Sequence, residues 1–287
     1  MEVDLEKIFL QPLVAELFQR KKITVSVLRL DKMHPLLGGN KWFKLKYNLE
    51  EARRNKFDTL LTFGGAFSNH IAATAFAGKE FGFKTIGVIR GEKTFPLNKT
   101  LSQSEENGMQ LHFISREDYK RKKENVFLEE LKNKFGNFYL IPEGGANELG
   151  MKGSGEIVSL INEPFTHLCC ACGTGTTLAG ISNALNGNQS VVGICVLKGE
   201  KMLDEFVKQH ATKNNWTINY NYYFGGYAKT TSELVEWKNN FENQFNFELD
   251  KIYTSKLFFG VFDLIEKNFF TENSSLIIIH SGGLQGN

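Results

Sequence analysis

One lysine in the sequence stands where it could act as a nucleophile. Lys41 follows the glycine pair of Gly38-Gly39-Asn40 and begins an apolar segment, Trp42-Phe43-Lys44-Leu45. A lysine in apolar surroundings has a lowered pKa and attacks carbonyl carbons. Lys41 is therefore a candidate for bonding an aldehyde. The alternative is a surface lysine, since Lys and Arg together number 34.

A second segment has the composition of a phosphate-binding turn. Cys172-Gly173-Thr174-Gly175-Thr176-Thr177 lies between a predicted strand and a helix expected to begin near Thr177. Glycines let backbone N–H groups converge, the helix N-terminus adds positive potential, and threonine hydroxyls can donate. The segment lacks the lysine of a nucleoside-triphosphate loop and the glycine spacing of a dinucleotide loop. A simple phosphate monoester is predicted, and an N-capped turn without a ligand is the alternative.

A third segment, Gly64-Gly65-Ala66-Phe67-Ser68-Asn69-His70, is predicted to join a strand to a helix. Ser68 or Asn69 would cap that helix and leave free N–H groups for a carboxylate. The cap alone would also explain both residues. His70, first in the predicted helix, is either part of such a site or a packed histidine.

The elements that must position these segments alternate between strands and helices, which indicates mainly parallel sheets with helices on both faces. Glycine turns follow four of the strands, at the carboxyl ends where open α/β sheets bind ligands. One shared site is therefore predicted. The predicted strands are Ile23–Leu28, Thr59–Phe63, Thr85–Ile89, Gln110–Ile114, Phe138–Ile141, His167–Ala171, Ser190–Cys195 and Ser275–His280, and the helices include His70–Phe81, Val126–Phe135, Ser154–Ile161, Thr177–Leu185 and Lys201–Gln209.

The elements fall into two groups, which predicts two domains with the site in the cleft between them. Residues 49–149 would form a small domain, and residues 1–48 with 150–287 a large domain that binds the phosphate. No Pro- or Gly-rich linker separates them.

Composition excludes several classes of protein. The hydrophobic fraction of 41% and the charged fraction of 23% are ordinary for a soluble globular chain. A net charge of +2 argues against a nucleic-acid or membrane-surface partner. No run approaches the roughly 20 apolar residues of a membrane span, and the N-terminus lacks a signal-peptide pattern. The four cysteines, Cys169, Cys170, Cys172 and Cys195, are predicted to be reduced core thiols rather than metal ligands, in a cytoplasmic protein.

In combination the segments resemble a known family. The sequence is similar to the fold type II pyridoxal-phosphate enzymes related to tryptophan synthase β, and within them to the 1-aminocyclopropane-1-carboxylate deaminase and D-cysteine desulfhydrase group. The similarity covers nearly the whole chain in the order of the family. It is carried by Gly38-Gly39-Asn40-Lys41, Gly65-Ala66-Phe67-Ser68-Asn69-His70, Pro142-Glu143-Gly144-Gly145-Ala146-Asn147, Gly173-Thr174-Gly175-Thr176-Thr177, Tyr253-Thr254-Ser255-Lys256 and His280-Ser281-Gly282-Gly283.

The resemblance implies two open, twisted, mainly parallel sheets, a pyridoxal 5'-phosphate cofactor, a small amino-acid substrate, a homodimer and no metal. It implies that Lys41 bonds the cofactor and later carries a proton. The implied catalytic residues are Lys41, Ser68, Tyr227 and Tyr253, and the implied substrate-binding residues are Ser68, Asn69, His70 and Tyr227. The implied cofactor contacts are Lys41, Asn69 at the ring oxygen, Gly173, Thr174, Gly175, Thr176 and Thr177 at the phosphate, Tyr253 stacked on the ring, and Ser281 at the pyridine nitrogen. For the two tyrosines, a core or surface position is the alternative.

One departure from the family bears on the substrate. The deaminases are expected to have a glutamate after the stacking tyrosine, and here Thr254 takes that position. Without a carboxylate the pyridine nitrogen is less readily protonated, and the cofactor withdraws electrons more weakly. We therefore expect β-elimination from D-cysteine or a related D-amino acid to pyruvate and ammonia. The alternatives are deamination of 1-aminocyclopropane-1-carboxylate to 2-oxobutanoate, a non-catalytic protein that binds the cofactor, and a nucleotide-dependent enzyme.

Overall fold

Two β-sheets organise the chain, which a computed structural model describes at residues 3–198 and 200–284. The six-stranded sheet has the order β1-β2-β10-β7-β8-β9, and the four-stranded sheet the order β5-β4-β3-β6. All neighbours pair in parallel except β1 and β2. The strands are β1 (Leu10–Leu13), β2 (Thr24–Arg29), β3 (Thr59–Gly64), β4 (Lys84–Arg90), β5 (Met109–Ile114), β6 (Tyr139–Ile141), β7 (His167–Cys172), β8 (Ser190–Cys195), β9 (Trp216–Asn219) and β10 (Ser275–His280).

The predicted fold class and all eight predicted strands are confirmed. The two strands that the sequence did not reveal, β1 and β9, are the edges of the six-stranded sheet. Edge strands are only half-buried, so they lack the continuous apolar run of a central parallel strand. β1 also contains Pro12, which cannot donate a ladder hydrogen bond and usually argues against a strand.

Helices cover both faces of the six-stranded sheet. Along β10, Leu276 and Ile278 pack into one apolar cluster, while Ile277 and Ile279 pack into another, as the two-residue period of a strand requires. The helices are α1 (Glu16–Lys21), α2 (Asn40–Arg54), α3 (Asn69–Phe81), α4 (Lys99–Glu106), α5 (Arg116–Lys120), α6 (Asn125–Phe135), α7 (Glu148–Gly155), α8 (Thr176–Ala184), α9 (Glu200–His210), α10 (Ser232–Phe245) and α11 (Thr254–Glu266).

The predicted helix Ser154–Ile161 is wrong in its bounds. The α-helix there is α7, which begins at Glu148, and a 3₁₀ segment continues it from Glu156 to Leu160. The side chain of Asn147 starts α7 by accepting the N–H of Gly150 at 2.8 Å. The glycines of this helix hid its period, because they carry no apolar side chain.

Close backbone contacts at two glycines fix the position of α2. A Cβ at Gly153 of α7 would lie 1.7 Å from the carbonyl oxygen of Phe43 in α2. A Cβ at Gly39, just before α2, would lie 1.8 Å from the carbonyl oxygen of Ser281. Only glycine permits either approach, so α2 is seated against both α7 and the end of β10.

The predicted domain limits fall inside helices. The limit at 48/49 lies within α2 and the limit at 149/150 within α7, while the four strands from 59 to 141 make up the smaller sheet. The division into domains stays a prediction. All four cysteines are buried thiols that form no disulfide, as predicted. Within the described residues, no helix has the length and apolar character needed to span a bilayer.

Candidate active site

A cavity of about 300 Å³ lies where strands of both sheets end. Its walls include the last residue of β4 and the segments that follow β3, β6, β7, β8 and β10. The structure thus places three separate sequence segments at one site, as the strand-end argument predicts. The predicted site residues that line it are Lys41, Ser68, Asn69, His70, Gly173, Thr174, Tyr227, Tyr253 and Ser281.

Lys41 lies in the first turn of α2, with its ammonium at the cavity. Nζ donates a hydrogen bond of 2.7 Å to Oδ1 of Asn40 and lies 5.8 Å from the centroid of the Tyr253 ring. Burial lowers the pKa of Lys41 to about 8, although the Asp250 carboxylate opposes the shift. The amine is therefore far more often unprotonated at neutral pH than an exposed lysine.

A second buried lysine, Lys44, lies one turn further along α2 and was missed by the sequence analysis. Its side chain lines the same cavity, and no hydrogen bond or ion pair reaches its ammonium from the described part of the chain. Burial and the neighbouring charge of Lys41 lower its pKa to about 7. The spacing of three residues, which places both lysines on one helix face, could have revealed it.

The predicted phosphate turn has the geometry of an anion site. α8 begins at Thr176 after Gly175, whose φ of 85° favours glycine, and no side chain caps its first N–H groups. Those groups are therefore free to bind an anion, so the alternative of an N-capped turn is not supported. Gly173 and Thr174 line the cavity.

The remaining phosphate residues, Gly175, Thr176 and Thr177, are absent from the cavity lining. Thr176 and Thr177 are buried behind it. The Thr174 and Thr176 hydroxyl oxygens lie 2.9 Å apart, and the Thr177 hydroxyl accepts Nδ2 of Asn40 at 3.0 Å. Their side chains shape the turn and tie it to α2, which the linear sequence could not indicate.

The third segment forms the N-terminus of α3. Oγ of Ser68 caps the helix by accepting the N–H of Ile71, at a long 3.3 Å, and both Ser68 and Asn69 also line the cavity. The predicted cap is present, and the weak bond leaves the hydroxyl easy to redirect toward a ligand.

His70 is a packed, neutral histidine that also touches the cavity wall. Burial lowers its pKa to about 3, with the charges of Lys41 and Lys44 adding to the shift. Nε2 lies 2.9 Å from the hydroxyl of Thr62, whose proton goes to the carbonyl of Ile141 at 2.8 Å. The ring is therefore held by Thr62 beside the end of β6.

Tyr227 presents a buried phenol without a partner. Its hydroxyl makes no well-formed hydrogen bond among the described residues. Burial raises its pKa, and the charge of Arg90 and the nearby N–H of Phe67 oppose that rise. A Cβ at Gly65 would approach its ring to 3.2 Å. A buried phenol that faces a cavity without a partner indicates a ligand with a polar group.

The sequence analysis gave no role to four further charged residues at the cavity, Arg90, Glu143, Lys198 and Lys229. Arg90 ends β4 and stacks its guanidinium 5.7 Å from the ring of Tyr227, and Glu143 follows β6 and pairs with Lys122 at 3.5 Å. The strand-end rule that singled out the glycine turns would have found Arg90 and Glu143.

Thr254, where a glutamate is expected in the deaminases, does not reach the cavity. It is fully buried, and its hydroxyl donates to Oδ2 of Asp250 at 2.7 Å. Asp250 also accepts the N–H groups of Ile252, Tyr253 and Thr254 at 2.7 to 2.9 Å. This carboxylate is committed to the start of α11. Ser281, after β10, is a polar residue that does line the cavity.

The comparison with protein families gives the class of enzyme. The family model described as pyridoxal-phosphate dependent enzyme matches residues 10–282. The chain belongs to this family. Its cofactor is pyridoxal 5'-phosphate, as predicted, and the residues present fit that group: a reactive buried amine, a second lysine without a partner, and an uncapped helix N-terminus. The described residues hold no cluster of His, Cys, Asp or Glu suited to a metal ion.

Relatives place the enzyme more narrowly within the family. A Pyrococcus horikoshii protein, provisionally named 1-aminocyclopropane-1-carboxylate deaminase, is 33% identical over 268 residues, which are 87% of this chain and 81% of that protein. The Arabidopsis thaliana protein named bifunctional D-cysteine desulfhydrase/1-aminocyclopropane-1-carboxylate deaminase, mitochondrial, is 31% identical over 281 residues, 87% of this chain and 70% of its own.

A solved structure agrees with these relatives. The crystal structure of an ACC deaminase homologue matches with a TM-score of 0.85 and 29% identity, covering 100% of this chain and 92% of the other. The predicted group is confirmed, and the chain is a pyridoxal-phosphate dependent lyase of that group.

Proposed function

We propose that this lyase removes the β-substituent of D-cysteine or a related small D-amino acid, and with water yields pyruvate, ammonia and the leaving group. The observation that carries the proposal is the convergence of the Lys41 amine, the N-terminus of α3 and the unpaired Tyr227 phenol on one cavity of about 300 Å³. Such a volume suits the cofactor with a small amino acid. The name of the Arabidopsis relative, which includes D-cysteine desulfhydrase, supports the same substrate.

We assign a binding role to the residues around the cavity according to the charge of the group that each could bind. When bound, pyridoxal phosphate supplies an aldehyde that condenses with amines and a ring that withdraws electrons from the α-carbon. We assign the phosphate to Lys44, Thr174 and the free N–H groups of α8, which together offer a cation and aligned donors. We assign the substrate carboxylate to the N-terminus of α3 and the Ser68 hydroxyl.

The proton transfers are assigned to Lys41. With its pKa lowered to about 8, Nζ is a base of suitable strength to take the α-proton near neutral pH. The Tyr227 phenol, whose pKa is raised by burial, stays protonated and can donate a hydrogen bond to the group that leaves. Tyr253 would stack on the ring, Asn69 would bond the ring oxygen, and His70 would pack behind them.

The neutral hydroxyl of Ser281 favours elimination over opening of a cyclopropane ring. A hydroxyl stabilises a protonated pyridine less than a carboxylate does, so electron withdrawal from the α-carbon is moderate. Thr254 and Asp250 are bonded to each other and do not replace the missing glutamate. Elimination of a good leaving group needs less stabilisation of negative charge than breaking a carbon–carbon bond.

The second candidate is deamination of 1-aminocyclopropane-1-carboxylate to 2-oxobutanoate, which the names of the relatives favour. The holoenzyme should be tested with D-cysteine, L-cysteine, D-serine, β-chloro-D-alanine and 1-aminocyclopropane-1-carboxylate, with pyruvate, 2-oxobutanoate and ammonia measured separately. Pyruvate from D-cysteine is the expected result. A larger yield of 2-oxobutanoate would favour the second candidate, and no turnover of any compound would favour a non-catalytic cofactor-binding role. A homodimer and a cytoplasmic location, which rest on the resemblance and the composition, stay predictions.

Replacing Lys44 by methionine is expected to weaken cofactor binding by about tenfold to a hundredfold, because one charged hydrogen bond to the phosphate is lost. The measurement is a titration of the cofactor-free protein with pyridoxal phosphate. Lys123→Met, the same change at an exposed position, should bind the cofactor as the unmodified enzyme does. Equal affinity in the two variants would remove Lys44 from the phosphate site.

The rate at which the cofactor-free protein captures pyridoxal phosphate is expected to follow the titration of Lys41. Because its pKa is about 8, the unprotonated fraction should rise about tenfold per pH unit below that value and level off above it. Rapid mixing at saturating cofactor measures the rate. An amine with the usual pKa of about 10.4 would show no such plateau, and a rate that climbs steadily up to that pH would contradict the assignment.

A further inference from the structure

A third buried lysine, Lys256, lies one turn into α11, three residues after Tyr253, and does not line the cavity. Its side chain is fully buried. The ammonium donates to three backbone carbonyls, those of Gly226 at 2.8 Å, Tyr223 at 2.9 Å and Val196 at 3.4 Å. The elimination chemistry assigned above makes no use of this buried cation.

Two of the carbonyls that Lys256 binds, those of Tyr223 and Gly226, belong to the loop that carries Tyr227. Four residues of this loop have left-handed φ values: Phe224 at 47°, Gly225 at 85°, Gly226 at 106° and Ala228 at 55°. Two of them are not glycine, so the backbone holds a conformation that side chains disfavour. Such a loop needs contacts from outside to keep one shape.

The ammonium supplies those contacts at the points where the loop turns. The carbonyl of Tyr223 also accepts the N–H of Gly226 at 2.9 Å, and that of Gly226 accepts the N–H of Lys229 at 3.3 Å. Val196, directly after β8, is the third acceptor, so the cation ties the loop to the end of a central strand. Tyr227 directly follows Gly226 and therefore depends on this anchor for its position.

We propose that Lys256 is a positioning residue that holds the Tyr227 phenol at the cavity by fixing the loop of residues 223–229. Tyr253 directly precedes α11, and Lys256 lies in the first turn of that helix. The start of α11 therefore fixes Tyr253 and, through Lys256, the loop that carries Tyr227. The importance for turnover rests on the proposed function, in which Tyr227 faces the substrate.

The electrostatic surroundings explain why a cation is retained in a buried position. Burial lowers the pKa of Lys256 to about 8, while Asp250 and Cys195 oppose that shift. The three carbonyl dipoles and the nearby Asp250 carboxylate keep the Lys256 amine protonated in most molecules at neutral pH. An ammonium can donate to all three acceptors, whereas an uncharged amine has only two N–H groups.

The test compares Lys256→Met with Lys251→Met, a matched control at an exposed position shortly before α11. Hydrogen exchange of the peptide covering residues 222–229 is measured in both, with the cofactor bound. We expect protection of this peptide to fall by about tenfold in Lys256→Met, the change that corresponds to losing one charged hydrogen bond, and to stay unchanged in Lys251→Met. The ratio kcat/KM should fall by about tenfold, with kcat itself reduced, because the hydrogen bond that Tyr227 donates to the leaving group is weakened.

The exchange measurement keeps this proposal separate from the proposed function. If the enzyme turns over no amino acid but the loop loses protection, the positioning role stands and the proposed function fails. If protection of the loop is unchanged, or if all peptides lose protection equally, Lys256 is only a core residue and the positioning role is overturned.

If Lys256→Met does not fold, a second measurement on the unmodified protein tests the same proposal. In the unmodified protein, the side-chain nitrogen of Lys256 should give an ammonium signal in nitrogen-15 NMR whose protons exchange slowly with water, assigned by its loss in the milder variant Lys256→Gln. An ammonium that exchanges as rapidly as that of Lys251 would overturn the anchor.

Discussion

The Lys41→Ala variant is expected to lose turnover by roughly three orders of magnitude or more, since both the covalent attachment of the cofactor and the proton transfer depend on one amine. The absorption of the attached cofactor should disappear with the activity. Burial is what makes the amine effective, because it lowers the pKa to about 8. Keto-acid release and the visible absorption spectrum are the two measurements.

The same variant should still bind the cofactor without a covalent bond. Lys44, Thr174 and the start of α8 do not depend on Lys41 for their position, so the phosphate site remains intact. Lys123→Ala, at an exposed position, serves as the control and should keep both spectrum and activity. An alanine variant at position 41 that retains colour and turnover would remove this lysine from the centre of the site.

A methyl group at Gly39 is expected to cost about 2–4 kcal/mol in the free energy of unfolding. Its Cβ would lie 1.8 Å from the carbonyl oxygen of Ser281, so backbone must move, which costs about 1–3 kcal/mol. The φ of 71° adds about 1 kcal/mol for a residue other than glycine. The shift would displace Lys41, two residues later, and lower activity as well.

Gly82→Ala is the matched control for this prediction. Gly82 has a similar φ of 74°, but a Cβ there would meet nothing within 4 Å. Its substitution should cost only the backbone share of about 1 kcal/mol and leave activity unchanged. Chemical denaturation of both variants gives the two free energies, and equal losses would show that contact with Ser281 does not restrict position 39.

Much of the site was predictable from local sequence. The glycine pair before Lys41, the Gly-Thr turn after β7 and the cap at Ser68 each depend on a few adjacent residues. Runs of apolar residues likewise predicted the central strands, because a buried parallel strand is apolar on both faces. The glycine turns at the carboxyl ends of the strands predicted one shared site, and the resemblance to the family predicted pyridoxal phosphate as its ligand.

The rest was decided by contacts between residues far apart in the sequence. Three features depend on which segments become neighbours in space. They are the burial that lowers the pKa of Lys44, the carbonyls of Val196 and Tyr223 that accept hydrogen bonds from Lys256, and the hydrogen bond from Thr254 to Asp250. Desolvation and hydrogen bonding act over a few ångströms of space, whatever the separation along the chain. The sequence by itself, through its resemblance to the family, determined the cofactor and predicted Lys41 as the attacking amine. Only the tertiary structure decided that Lys44 and Lys256 are also buried, because their burial depends on segments that are distant in the sequence.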